Sequence, residues 1–134
     1  GNDDDVRAVV LGQNGALAAM KPGAILVDHT TASAELAREL AGVAQQQGKQ
    51  FLDAPVSGGQ AGAENGALTV MIGGDQSTYD LAKPVIDCYS RFSRLLGPAG
   101  HGQAGRRRGL RGSAPRSRDG RSDNVGQGAR ALFQ

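Results

Sequence analysis

Two short strand candidates separated by an amphipathic segment restrict the fold of this chain more than any other feature of its sequence. Residues 24–28 (AILVD) are a continuous, mainly apolar run, as is typical of a strand that is covered on both faces of a parallel sheet. Residues 50–53 (QFLD) are the next strand candidate. Apolar residues recur at helical spacing between them, at Leu36, Leu40 and Val43. The chain is therefore predicted to contain a strand–helix–strand unit of an α/β, doubly wound sheet.

The rest of the first 105 residues continues this alternation of helices and strands. Asn2 is a favourable N-cap, and the three aspartates after it place negative charge in the first turn of a helix that Gly12 can end. Further strands are predicted at residues 67–72 and 92–96, with a helix at residues 75–88 between them.

Polar loops follow both of the predicted buried strands. Residues 28–31 (DHTT) follow the first strand, and residues 53–57 (DAPVS) follow the second. Ligands of doubly wound sheets bind at the carboxyl ends of strands, so both loops are candidate ligand sites. Ser33 is the predicted N-cap of the helix between the strands. We expect Asp53 to cap or brace the turn at the end of its strand rather than to act as a base.

The second loop continues into a stretch of small residues, residues 57–66. Consecutive glycines at Gly58 and Gly59 allow positive φ and a close approach of the backbone to a ligand. The hydroxyl of Ser57 can both donate and accept hydrogen bonds. This stretch is predicted to be a loop.

The charge of the chain changes sign near Arg106. Residues 1–105 carry a net charge of −4, whereas residues 106–134 contain eight arginines and two aspartates, a net of +6. We predict a folded unit over residues 1–105 and a disordered tail over residues 106–134, because an Arg/Gly-rich composition buries little apolar surface. An out-of-frame translation of a GC-rich gene is the favoured origin of this tail. A nucleic-acid-binding arm is the alternative, disfavoured because Phe133 is its single aromatic residue.

Composition excludes several classes of protein. No run of about 18 apolar residues could form a spanning helix, and the acidic N-terminus does not resemble a signal peptide. The single cysteine, Cys88, excludes an internal disulfide framework and fits a reducing compartment. We expect a cytoplasmic protein with no membrane partner and no metal site.

An ordered set of residues in and after the second loop carries a resemblance to a known family. Residues 51–59 (FLDAPVSGG) are followed by Gly62-Ala63, Gly66, Leu68-Thr69 and Gly73-Gly74. This set resembles the substrate-loop signature of the β-hydroxyacid dehydrogenases, typified by 3-hydroxyisobutyrate dehydrogenase. The resemblance covers residues 1–105 and includes residues 27–31 and 97–103.

The resemblance implies an oxidoreductase that transfers a hydride from a small 3-hydroxy acid to NAD or NADP. In that family an N-terminal Rossmann-like domain binds the cofactor and an all-helical domain follows it, and the parent enzyme is expected to be a homo-oligomer. The resemblance further implies that Ser57, Gly58 and Gly59 hold the substrate, and that Thr31 and Asp5 contact the cofactor.

This sequence departs from the family pattern in several places. The Gly-x-Gly-x-x-Gly turn that would hold the pyrophosphate is absent, as is the segment that selects NAD or NADP. Arg106 stands where the family has its catalytic Lys, and Asn124 lies too far along to be the family Asn. Arginine stays protonated and cannot exchange a proton, so no catalytic residue is assigned. We expect an inactive, truncated and frame-shifted fragment; a non-catalytic NAD(P)- or acid-binding module and a nucleic-acid-interacting protein are the alternatives.

Overall fold

One five-stranded sheet organises residues 2–108, the part of the chain that the computed structural model describes. The strands are β1 (Ile25–Asp28), β2 (Gln50–Asp53), β3 (Val56–Ser57), β4 (Leu68–Gly73) and β5 (Ser90–Gly97). The helices of these residues are α1 (Asp3–Leu11), α2 (Ala16–Ala19), α3 (Ala34–Gln46), α4 (Gly59–Glu64), α5 (Gln76–Ile86) and α6 (His101–Arg107).

The predicted strand–helix–strand unit is confirmed. Strands β1 and β2 are parallel neighbours, and α3 connects them. In their register Asp28 lies opposite Asp53. The two strands therefore end side by side, and the loops that follow them start at adjacent positions.

The sheet is mixed rather than wholly parallel. Strand β4 runs antiparallel to β2 and β3, and parallel to β5. The reason lies in the connection between β3 and β4, which contains only the short helix α4. Antiparallel neighbours can be joined by a short connection, whereas parallel neighbours require a long crossover such as α5, which joins β4 to β5.

Apolar side chains on the two faces of the sheet form two clusters. On one face Leu52 and Ile72 pack with Ile86 of α5. On the other face Phe51 packs with Leu36 and Leu40 of α3. Adjacent strand residues such as Phe51 and Leu52 point to opposite faces, so this apolar pair packs against helices on both sides of the sheet in a three-layer α/β arrangement.

Both predicted N-caps form. The Asn2 side chain accepts a hydrogen bond from the Asp5 N–H at 3.0 Å, and the Asp5 carboxylate accepts one from the Asn2 N–H, which completes a capping box. Ser33 Oγ accepts a hydrogen bond from the Leu36 N–H at 3.0 Å. Ser33 also donates to the carboxylate of Asp3 through its hydroxyl and its N–H, so one serine ties the start of α3 to α1.

Substituting Ser33→Ala is expected to destabilise the protein by about 1–2 kcal/mol, because the helix loses its N-cap. The hydrogen bonds from Ser33 lower the pKa of Asp3 below its ordinary value of 3.8. A carboxyl group with a depressed folded pKa stabilises the fold above its unfolded pKa, and this contribution is lost as the pH falls through the folded pKa. Urea denaturation should therefore show a smaller effect of Ser33→Ala in strong acid than at pH 7. Ser77→Ala, at an exposed position, should be nearly neutral at both pH values.

Two helices differ from the sequence prediction. Helix α4 occupies part of the stretch predicted to be a loop. Helix α6 includes Arg106 and Arg107, so the folded part of the chain continues past the predicted boundary between residues 105 and 106. Residues 109–134 of the predicted tail lie outside the described residues.

Within residues 2–108, no helix has both the length and the apolar character needed to cross a membrane.

Candidate functional site

The structure brings the two polar loops together at the ends of β1 and β2. The Ala54 N–H donates to the Asp28 carbonyl with an N–O distance of 2.8 Å, which extends the β1–β2 pairing into the loops. The carboxylate of Asp28 accepts a hydrogen bond from the Thr30 N–H at 2.9 Å and turns the first loop away from the strand.

His29 joins the first loop to the second. Its Nδ1 lies 2.7 Å from the Ala54 carbonyl oxygen, and its Nε2 lies 2.7 Å from the Tyr89 hydroxyl. Because a carbonyl can only accept, Nδ1 donates this hydrogen bond. Burial raises the pKa of Tyr89 to about 12, so its hydroxyl keeps its proton and remains a hydrogen-bond partner of Nε2. His29 thus fixes the spacing between the loops.

Of the two residues predicted to contact a cofactor, Asp5 lines a cavity between α1 and the first loop, and Thr31 does not. This cavity of about 520 Å³ is lined by Asp5 of α1, by Asp28, His29 and Thr30, and by apolar side chains that include Val27. Thr31 is the next residue of the same loop, and its side chain is exposed. Asp5 is also exposed, and its carboxylate takes part in the capping box of α1.

The residues predicted to hold a substrate lie where β3 becomes α4. Ser57 ends β3, Gly58 is the N-cap of α4 and Gly59 is its first residue. All three are exposed. Gly58 has a φ of 129°, and a Cβ there would lie 3.3 Å from Leu68 Cδ2, so the turn requires glycine. The first N–H groups of a helix have no acceptor within the helix and are available to a ligand.

Asp53 braces a different part of the chain from the one predicted. Its carboxylate is fully buried and holds the start of α6, not the turn at the end of its own strand. Oδ1 accepts from the Gly100 N–H at 2.8 Å, and Oδ2 accepts from the Gln103 N–H at 2.9 Å. Helix α6, which carries the exposed Arg106, is thereby attached to the end of β2.

Gln103 is a site residue that the sequence prediction missed. Its side chain is 2% exposed. Its Nε2 donates to the Thr30 carbonyl oxygen at 2.7 Å, and its Oε1 accepts from the Ala32 N–H at 3.2 Å. No local pattern in the sequence signals this contact, because the partners are more than 70 residues apart.

The chemistry of the site is that of hydrogen bonding and charge. It offers exposed hydroxyls at Thr31 and Ser57, backbone N–H groups at Gly58 and Gly59, and the carboxylate of Asp5. Among residues 2–108, no three His, Cys, Asp or Glu side chains are grouped so that they could hold a metal ion.

Comparisons with known proteins agree with this architecture. Residues 1–97 match the NAD-binding domain of 6-phosphogluconate dehydrogenase. An "uncharacterized oxidoreductase" of Shewanella frigidimarina is 66% identical over 103 residues, which cover 77% of this chain and 35% of that protein. A probable mitochondrial 3-hydroxyisobutyrate dehydrogenase-like protein of Arabidopsis thaliana is 42% identical, over 78% of this chain and 34% of that protein.

A solved structure has the same fold. The 3-hydroxyisobutyrate dehydrogenase of Mycobacterium tuberculosis, in a structure with L-serine, superimposes with a TM-score of 0.72 and 38% sequence identity. The match covers 78% of this chain and 35% of that one. The chain thus spans 34–35% of the length of these three relatives.

Proposed function

Because this chain belongs to the family of the NAD-binding domain of 6-phosphogluconate dehydrogenase, we propose that it binds NAD or NADP beside β1 and a small 3-hydroxy acid beside β3. Within a longer protein, this unit would serve an oxidoreductase of the 3-hydroxyisobutyrate dehydrogenase type. The observation that carries the proposal is the hydrogen-bonded juxtaposition of the loops that contain Thr31 and Ser57, through His29 and Ala54.

In this proposal the cavity between α1 and the first loop receives part of the dinucleotide. Its mainly apolar lining suits ring surfaces, and the exposed carboxylate of Asp5 could accept hydrogen bonds from ribose hydroxyls. Thr31 would contact the cofactor from the next position of the loop. When bound, the nicotinamide supplies the acceptor for the hydride of the alcohol carbon.

The substrate would be held at the start of α4. Backbone N–H groups of Gly58 and Gly59 and the hydroxyl of Ser57 can together surround a carboxylate without a bulky side chain. Their exposure leaves them accessible to a small acid.

Arg106 favours a second candidate, a binding module without catalysis. Its side chain is exposed on α6 and carries a permanent charge, so it could orient a carboxylate but could not accept a proton from the alcohol. On either candidate we propose a cytoplasmic location and a homo-oligomeric parent protein, with no role for nucleic acid.

The first measurement is a titration of the chain with NADH, followed through its fluorescence. We expect saturable binding, and an absence of both a fluorescence change and a thermal shift would refute the proposed cofactor site.

With the cofactor bound, Ser57→Ala should weaken the binding of 3-hydroxyisobutyrate about tenfold, because a hydrogen bond to a charged group is lost. Isothermal titration calorimetry measures this change. Ser77→Ala removes a hydroxyl from an exposed position on α5 and should leave the affinity unchanged; equal effects of both variants would refute the assignment of the loop.

A further inference from the structure

The backbone on both sides of Thr31 is held by one buried side chain. Gln103 donates to the carbonyl of Thr30 and accepts from the N–H of Ala32. The Thr30 carbonyl can only accept and the Ala32 N–H can only donate, so the orientation of the carboxamide is fixed. We propose that Gln103 is a positioning residue that holds Thr31 against the nicotinamide end of the cofactor. This inference rests on the proposed function.

The anchorage of Gln103 explains how it can position a loop. The carboxylate of Asp53 accepts the backbone N–H of Gln103 at 2.9 Å. Asp53 ends β2, and the predicted substrate loop begins directly after it. A continuous series of hydrogen bonds therefore runs from the start of the substrate loop, through α6, to the loop that contains Thr31.

The position of the Thr31 loop also indicates which end of a bound cofactor the loss of the Gln103 hydrogen bonds would affect. Hydride transfer requires the nicotinamide to lie beside the substrate. The loop of Thr31 is the one that His29 joins to Ala54, three residues before Ser57. The loop that contains Thr31 is thus the part of the proposed cofactor site that is bonded to the substrate loop, and we expect a shift of its backbone to act on the nicotinamide rather than on the adenosine.

The test compares two ligands that differ in the nicotinamide. Gln103→Met fills a similar volume but removes both hydrogen bonds. We expect it to weaken the binding of NADH about tenfold, while the affinity for ADP-ribose, which lacks the nicotinamide, changes less than about twofold. A merely structural role would lower both affinities together. Gln13→Met makes the same change at an exposed turn residue and should alter neither affinity.

Hydrogen exchange of the unmodified chain tests the same contact without a variant. The Ala32 amide should exchange slowly, although it lies in a loop, because Gln103 accepts its hydrogen bond. Rapid exchange of Ala32, an unchanged NADH affinity of Gln103→Met, or equal losses for both ligands would each overturn the inference. If the unmodified chain binds neither ligand, the proposed function fails and this inference fails with it. If it binds both ligands and Gln103→Met behaves like Gln13→Met, only the inference fails.

Discussion

Replacing Asp53 by asparagine is expected to destabilise the protein by about 2–4 kcal/mol. Each carboxylate oxygen of this fully buried residue accepts one backbone N–H, from Gly100 and from Gln103. An asparagine retains one oxygen acceptor, and its NH₂ group must face the other N–H, donor against donor. One buried N–H is then left without a partner, and the start of α6 separates from β2.

Equilibrium unfolding in urea measures this loss. Asp75→Asn is the matched control, because Asp75 also lies at a helix N-terminus but is exposed and makes no side-chain capping bond. Its expected effect is below about 0.5 kcal/mol. Similar values for the two variants would contradict the anchoring role of Asp53.

The second large effect is expected from Gly102→Ala, at about 3 kcal/mol or more. A Cβ at Gly102 would lie 2.7 Å from the backbone oxygens of Asp53 and Met71, and 2.8 Å from Asp53 Oδ2. These atoms belong to the sheet and to a buried carboxylate, so they cannot move aside as the end of a flexible side chain could. The substitution should therefore push α6 away from the sheet.

Gly42→Ala is the matched comparison, for which we expect the opposite effect on stability. Gly42 lies inside α3, and a Cβ there would meet nothing within 4 Å. Alanine should stabilise the helix by about 0.5–1 kcal/mol, because it restricts the unfolded chain. Thermal unfolding of both variants gives the comparison. A Gly102→Ala protein as stable as the unmodified chain would contradict the close packing of α6 on the sheet.

Elements defined by local patterns could be predicted from the sequence. The apolar run of residues 24–28 predicted β1, the short segment after the amphipathic helix predicted β2, and the spacing of Leu36 and Leu40 predicted α3. Asn2 and Ser33 marked helix starts. The pairing of the strand ends followed because parallel strands joined by one helix end at the same edge. The binding roles of Thr31 and Ser57 stay predictions, since they depend on ligands.

Features that depend on distant partners could not be predicted in this way. Helix α4 contains Gly59 and Gly62, whose helix propensity is low, so no periodic signal marks it. The direction of β4 depends on the short connection before it. Asp53 could be recognised as a bracing residue, but its partner was assigned locally, because nothing near it in the sequence points to Gly100.

The long sequence separations around α6 have a consequence for the order of folding. The bonds of Asp53 to α6 span 47 and 50 residues, and those of Gln103 span 71 and 73. Such contacts carry a larger loop-closure entropy than the pairing of β1 with β2, so we expect them to form after the strands and α3 have assembled. A partly folded chain would then contain the paired strands before the loops of Thr31 and Ser57 are held in place. By the same reasoning, detachment of α6 is a local opening of lower free energy than global unfolding, and it would free the Thr31 loop while the strands remain paired.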